Sequence, residues 1–274
     1  MKKGLRELKE LKGLRDKAGM KSSSVLRTLF AAGFALLLLC LPGCRAVDTG
    51  PEQAMAEYAS SYTRAAAGSY LECVHYDERG FQKAVRDAAP YSIDGDMFAA
   101  VSPHFLPVMS FTANILCTLA QAGTPDPTVF VLAPDHSGEG LPLILADRGW
   151  STPFGALELD EEATAAIRNS PSLADKIDID LYHLQNDHSA ATLMPFIKYY
   201  LPDAKIVTIL LNGDCQLQQL EALAEIIYET GRTKPVFALA SVDFSHYLYI
   251  GETAQRDEVR RPDTRGQYTG HQET

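Results

Sequence analysis

From residue 94 onward the chain alternates between two kinds of apolar pattern. Nearly unbroken apolar runs occupy 97–102, 128–133, 205–211 and 236–241. Runs this short, closed by Pro103, Pro134 or a polar stretch, predict strands buried on both faces. Between them lie segments with helical spacing at 111–122, 160–169, 190–200 and 217–230. The second carries Glu161 and Glu162 where a helix dipole is positive, and the last ends at Gly231. Residues 141–146 form one more strand candidate. Strands and helices in alternation predict an α/β fold, a central mixed or parallel sheet flanked by helices. In open sheets of this kind ligands bind beyond the carboxyl ends of the strands.

Upstream the pattern changes. Residues 20–27, Met-Lys-Ser-Ser-Ser-Val-Leu-Arg, form a short positive segment, and 28–41 is uncharged and apolar. At about 14 residues that run suits a signal-peptide core better than a spanning helix. It ends in Leu41-Pro42-Gly43-Cys44, which resembles a bacterial lipobox, so Cys44 is the expected lipidation site. The expectation is an exported lipoprotein held to the membrane at the cell envelope by its acyl chains. An uncleaved signal anchor with an accidental Gly-Cys is the competing reading. Residues 1–19 fit either an over-long gene start or an amphipathic helix ahead of the signal. The domain expectation is a leader over 1–43, a tether and lead-in over 44–93 with a helix at 51–67, a core over 94–257, and a disordered tail over 258–274.

The 274 residues carry a net charge of -10, although the first thirty are basic, so the body is more acidic than the total. An acidic body without a basic, aromatic-interleaved stripe argues against nucleic acid as a partner. The five cysteines include no Cys-x-x-Cys pair, which argues against a zinc knuckle. Ser137, Ser189 and Ser245 lie beside or near histidines, but no Gly-x-Ser-x-Gly elbow occurs, so a serine hydrolase is discounted.

Histidines supply the chemistry. Three strands end one to five residues before one: His104 after Pro103, His136 after Pro134-Asp135, and His246 in Asp243-Phe-Ser-His246. A fourth, His188, follows Asp187. Imidazole and carboxylate donors suit zinc, copper and ferrous iron. A single such histidine is more often structural than functional, but four beside carboxylates or strand ends predict a shared cleft with a divalent-metal site. Asp135, Asp187 and Asp243 can orient the rings or join them as ligands. His75, His183 and His271 lack that setting and are read as surface or structural.

These motifs carry a resemblance. The order Pro103-His104, Ala133-Pro-Asp-His136, Thr152-Pro-Phe-Gly155, Asp187-His-Ser189 with Met194-Pro-Phe196, and Ser241-Val-Asp-Phe-Ser-His-Tyr247 resembles the MEMO family, whose bacterial members are called AmmeMemoRadiSam system protein B. The match covers about residues 94–257. It implies a fold like the class III extradiol dioxygenases, which use non-haem ferrous iron. By it His104 and His136 take the metal-ligand positions, while His246, Asp243 and His188 take catalytic positions in the same cleft. Thr152–Gly155 would be a loop shaping the site, or a simple turn. A functional link to AMMECR-type and radical-SAM proteins follows from the same resemblance.

Three departures keep another reading open. Phe105-Leu106-Pro107 stands where the family has Ala-Gly-Tyr. Ala191 stands where it has glutamate. The later Cys-Gly that furnishes a third metal-site residue does not follow Tyr247 here. The alternative to a metal-dependent oxygenase is therefore a non-catalytic envelope lipoprotein binding a metal or small molecule, or an inactive gene remnant.

Overall fold

Four parallel strands form one side of the sheet, and its remaining strands are added beyond one of them. The computed structural model describes residues 69–138, 140–244 and 248–260. The leader with Cys44, the helix expected at 51–67, His246 and the tail beyond Arg260 lie outside the described residues. The strands are β1 (Leu71–Glu72), β2 (Ala99–Pro103), β3 (Thr128–Pro134), β4 (Leu143–Leu145) and β5 (Trp150–Thr152). They continue with β6 (Gly155–Leu159), β7 (Ile177–Asp178), β8 (Lys205–Leu211) and β9 (Val236–Val242). The helices are α1 (Glu78–Arg86), α2 (Ser110–Gln121), α3 (Glu161–Arg168) and α4 (Leu181–Asn186). After these come α5 (His188–Ala191), α6 (Met194–Tyr200), α7 (Leu217–Gly231) and α8 (Ile250–Arg260).

The sheet runs β1-β5-β6-β8-β3-β9-β2, with β4 paired to the end of β8 and β7 paired to β4. β8, β3, β9 and β2 are mutually parallel, whereas β5–β6 and β4–β8 are antiparallel. The sheet is therefore mixed.

Side-chain alternation divides the apolar residues between two faces. Val129, Val131 and Ala133 of β3 join one core, while Phe130 and Leu132 point to the other. The first core receives α1, α2, α5 and α6 through residues such as Phe81, Leu116, Ala190 and Ile197. The second receives α3 and α7 through Ile167, Leu223 and Ile227. This is why the central strands read as continuous apolar runs: helices cover both of their faces.

Local chemistry explains the places where the expected boundaries move. The helix expected over 190–200 is two helices, α5 and α6, because Pro195 sits in the first turn of α6. Proline lacks an amide hydrogen and its ring clashes with the carbonyl four residues back, so one helix cannot pass through it. Residues 71–86, expected only as a lead-in, contribute β1 and α1, and Leu71, Phe81 and Ala84 are buried in the first core. Thr152–Gly155 is the β5–β6 turn. Gly155 has φ +112°, and Thr152 Oγ1 accepts from Phe154 N and donates to Gly155 O. Phe154 is buried and stacks on Phe81 at 4.6 Å, so this segment closes a hairpin onto an aromatic cluster. At the far end, α8 continues past residue 257 to Arg260.

Opposite the carboxyl ends of the strands, one carboxylate ties three elements together. Asp160 is 2% exposed and caps α3 by accepting from Ala163 N at 3.0 Å. It also accepts from Thr128 Oγ1 at 2.5 Å, at the start of β3, and from Lys234 Nζ at 2.6 Å, just before β9. Burial works against its charge, but Lys234, Thr128 and the Ala163 amide outweigh burial and hold the carboxyl below its ordinary value. Losing a cap and one partner of this pair costs about 2–4 kcal/mol. We expect Asp160→Ala to lose about that much stability in urea unfolding near neutral pH. Because the folded-state value is depressed, the stabilisation is full above the ordinary carboxylate range and is lost as pH falls through it. The gap between wild type and Asp160→Asn should then narrow between about pH 5 and about pH 3. A gap that does not change over that interval contradicts this reading.

Candidate metal centre

Parallel register brings the candidate residues to one edge. β2 pairs with β9 so that Ser102 lies beside Ser241 and Pro103 beside Val242. One step further places His104 beside Asp243. β3 pairs with β9 on its other side, Leu132 beside Ala240, so Asp135 and His136 emerge at the same level. His188 arrives from the first turn of α5, which Asp187 caps by accepting from Ser189 N.

His104 is 1% exposed, and its Nδ1 lies 2.9 Å from Ser241 Oγ. Ser241 Oγ donates to the Ser189 carbonyl at 2.5 Å. A hydroxyl has a single hydrogen, so toward His104 it can only accept. Nδ1 therefore carries the hydrogen of a neutral His104, and Nε2 carries the lone pair. That Nε2 is buried and has no hydrogen-bond partner among the described residues. Asp243 Oδ1 lies 2.8 Å from it, a close approach without the alignment of a hydrogen bond. A lone pair facing a carboxylate oxygen is an arrangement that calls for a proton or a cation.

His136 repeats the design with a different partner. Its Nδ1 donates to Asp187 Oδ1 at 2.8 Å, and its backbone amide donates to Oδ2 at 2.9 Å. The ring is thereby fixed with Nε2 facing Asp243 Oδ2 at 3.1 Å. Burial lowers the pKa of His136, but Asp187 and Asp243 together outweigh burial and raise it above the ordinary imidazole value. At Asp187 burial raises the pKa, and the amides of His136 and Ser189 with the His136 ring overcome burial and lower it. His104 goes the opposite way from His136, because burial dominates and depresses it. His188 is depressed by burial and by the neighbouring His136, on which its ring stacks at 4.4 Å.

One ring nitrogen from each of His104, His136 and His188 lies within 4.8 Å of the others. The chemistry of the set fits a borderline divalent cation: three imidazoles able to be neutral, with a carboxylate at their edge. The orphaned Nε2 of His104 and the two rings locked by hydrogen bonds at Nδ1 point the same way. A metal-binding imidazole usually donates its other nitrogen to just such a partner. The structure thus brings His104, His136, His188 and Asp243 together, while His246 lies outside the described residues.

Two histidines read as surface or structural border the same region. His75 Nε2 lies 2.8 Å from the Asn186 carbonyl, with its ring 5.9 Å from His188. His183 Nε2 lies 2.8 Å from the buried Asp135 Oδ1. Its signal in the sequence was the spacing of four to Asp187, which puts both on one side of a helical turn. Ser241 is a further site residue that the sequence reading gives no role. Its signal was a polar residue near the end of an apolar strand.

Known proteins are similar to this chain over much of its length. Residues 64–266 match a family model described as Memo-like protein. A MEMO1 family protein of Pyrobaculum aerophilum is 33% identical over 172 residues, 61% of this chain and 59% of that protein. One of Archaeoglobus fulgidus is 34% identical over 171 residues, 61% of each. One of Thermococcus kodakarensis is 34% identical over 212 residues, 71% of this chain and 70% of that protein. Against the first two, the chain spans about three fifths of the relative's own length.

Two outcomes follow from the locked rings. Ser241→Ala removes the acceptor that selects the His104 tautomer. We expect Co(II) affinity, read from visible absorption, to fall about 10–100-fold while far-UV circular dichroism is unchanged. Unchanged affinity would show that Ser241 does not orient the ring. In metal-free protein, His136 contributes stability below its unfolded value, lost as pH rises through its raised folded value. Asp187 contributes above the carboxylate range, lost as pH falls through its lowered one. The destabilisation caused by His136→Gln should be greatest near about pH 5–6 and smaller near about pH 9. A flat difference across that range contradicts the pair.

Proposed function

Because the chain belongs to the Memo-like protein family, we propose that it is a metal-dependent protein of the AmmeMemoRadiSam system protein B type with an oxygenase-like activity. In this reading His104 and His136 hold one divalent cation, ferrous iron by the resemblance to class III extradiol dioxygenases, and His188 supplies a third nitrogen donor. The observation that carries the reading is the His104 Nε2, buried and without a hydrogen-bond partner among the described residues, on a ring grouped with two further imidazoles.

When bound, such an ion supplies a Lewis-acidic, redox-capable centre for oxygen and a hydroxylated aromatic substrate. The chain's own residues do the rest. Ser241 and Asp187 engage Nδ1 of two rings, so that Nε2 is the nitrogen each turns toward Asp243. Asp243, between His104 and His136, orients the edge of the cleft, and His246 is the base that takes a substrate proton. Imidazole suits that role because it titrates near neutral pH. Envelope tethering through Cys44 and a functional link to AMMECR-type and radical-SAM proteins belong to the same proposal. Among the described residues no helix is long and apolar enough to cross a membrane.

The test is anaerobic reconstitution with Fe(II), followed by metal analysis and an oxygen electrode with a panel of catechols. Wild type should retain one more equivalent than the His104→Ala/His136→Ala variant, and only wild type should consume oxygen. Equal loading of the two proteins would refute the metal site. Full loading without oxygen uptake would refute the oxygenase activity.

A further inference from the structure

Beside the three imidazoles lies a second group of donors, which shares Asp187 with the site described above. Asp135, His183 and Asp187 each offer a ligand atom within 4.8 Å of the others. Asp135 is 8% and Asp187 6% exposed, so two carboxylates are buried side by side. Their ion-pair partners are imidazoles, His183 for Asp135 and His136 for Asp187. We propose that these three residues form a second divalent-cation site, distinct from the imidazole cluster and joined to it through Asp187.

The carboxylate oxygens of this group are unevenly used. Asp135 Oδ1 accepts from Ser137 N and Ser137 Oγ, both at 2.9 Å, and faces His183 Nε2 at 2.8 Å. Asp135 Oδ2 is buried with no hydrogen-bond partner among the described residues. A buried carboxylate oxygen left without a donor is costly, and a second buried carboxylate nearby adds repulsion. The His183 ring faces only one oxygen of one of them. A divalent cation answers both carboxylates and gives Oδ2 a partner. Asp187 has room for it, since Oδ2 accepts only the His136 amide while Oδ1 takes the His136 ring and the Ser189 amide. His183 is held in place by α4, whose cap Asp180 accepts from the His183 amide at 2.9 Å.

Two carboxylates and one imidazole make a harder donor set than three imidazoles. It suits Mn(II) as well as Fe(II) and Zn(II), whereas the nitrogen-rich cluster disfavours Mn(II). Asp187 is the carboxylate that orients His136, so loading the second site bears on the His136 ring. The site stands on Asp135 and His183 whether or not the imidazole cluster holds iron.

Mn(II) binding, counted from the loss of the free-ion electron paramagnetic resonance signal, separates the possibilities. His104→Ala/His188→Ala removes imidazoles from the first cluster and leaves the His136–Asp187 bond intact. This variant should still bind one equivalent of Mn(II). Adding His183→Ala, or the near-isosteric Asp135→Asn, should weaken that binding at least about tenfold. Emission of the single tryptophan, Trp150, which is fully buried, reports whether each variant is folded. If the double variant does not fold, wild type is compared directly with His183→Ala, and one equivalent fewer is expected in the latter. Mn(II) binding that ignores both His183 and Asp135, or no Mn(II) binding in a folded double variant, overturns the second site. Binding that depends on His183 but not on His104 upholds it even where the three-imidazole reading fails.

Discussion

A relay of three groups sets the character of the site: the Ser189 carbonyl, the Ser241 hydroxyl and the His104 ring. The carbonyl consumes the only hydroxyl hydrogen, the hydroxyl can then only accept, and the imidazole must present Nε2 as a lone pair. Each member comes from a different element, α5, β9 and the end of β2, so the relay exists only when the sheet and the first helical face are both assembled. Asp187 likewise holds the Nδ1 hydrogen of His136, with a carboxylate in place of a hydroxyl. Folding in this way fixes the chemical state of the donors as well as their positions.

The sheet makes this possible through register. β2, β9 and β3 are parallel and end at one level, so residues about a hundred positions apart in the chain emerge together. Cores on both faces hold the strands rigid, and the side chains beyond their carboxyl ends inherit that rigidity. At the opposite ends of the strands Asp160 serves stability, with a cap, a hydroxyl and a lysine converging on it. Buried carboxylates thus play two parts, one structural and one poised for cations, at the two ends of the same strands.

Much of this was legible in the amino-acid pattern. The boundaries of β8 matched the sequence expectation, and β3 and β9 each extend one residue past it, because doubly covered strands leave an unbroken apolar trace. The histidines were conspicuous because each follows a strand end or an aspartate. β5, β6, β7 and α4 were not seen, since two to six residues of mixed polarity carry no period. Trp150-Ser-Thr152 reads as loop until its partner across the turn is known. The break at Pro195 was available from the sequence and was overridden by the apolar periodicity around it. The relay through Ser241 was not legible, because a hydrogen-bond direction depends on which carbonyl lies behind the hydroxyl. The pairing of His183 with Asp135 depended on α4, which was itself unseen.

Membership of the Memo-like family and the geometry of the cleft meet at the lone pair of His104. The most direct measurement is a two-bond proton–nitrogen correlation spectrum of the metal-free protein at neutral pH, with histidine labelled at both ring nitrogens and His104 assigned by substitution. The account predicts a neutral ring whose Nδ1 has the shift of a protonated nitrogen and whose Nε2 has that of an unprotonated one. A His104 protonated at Nε2, neutral or charged, would contradict it.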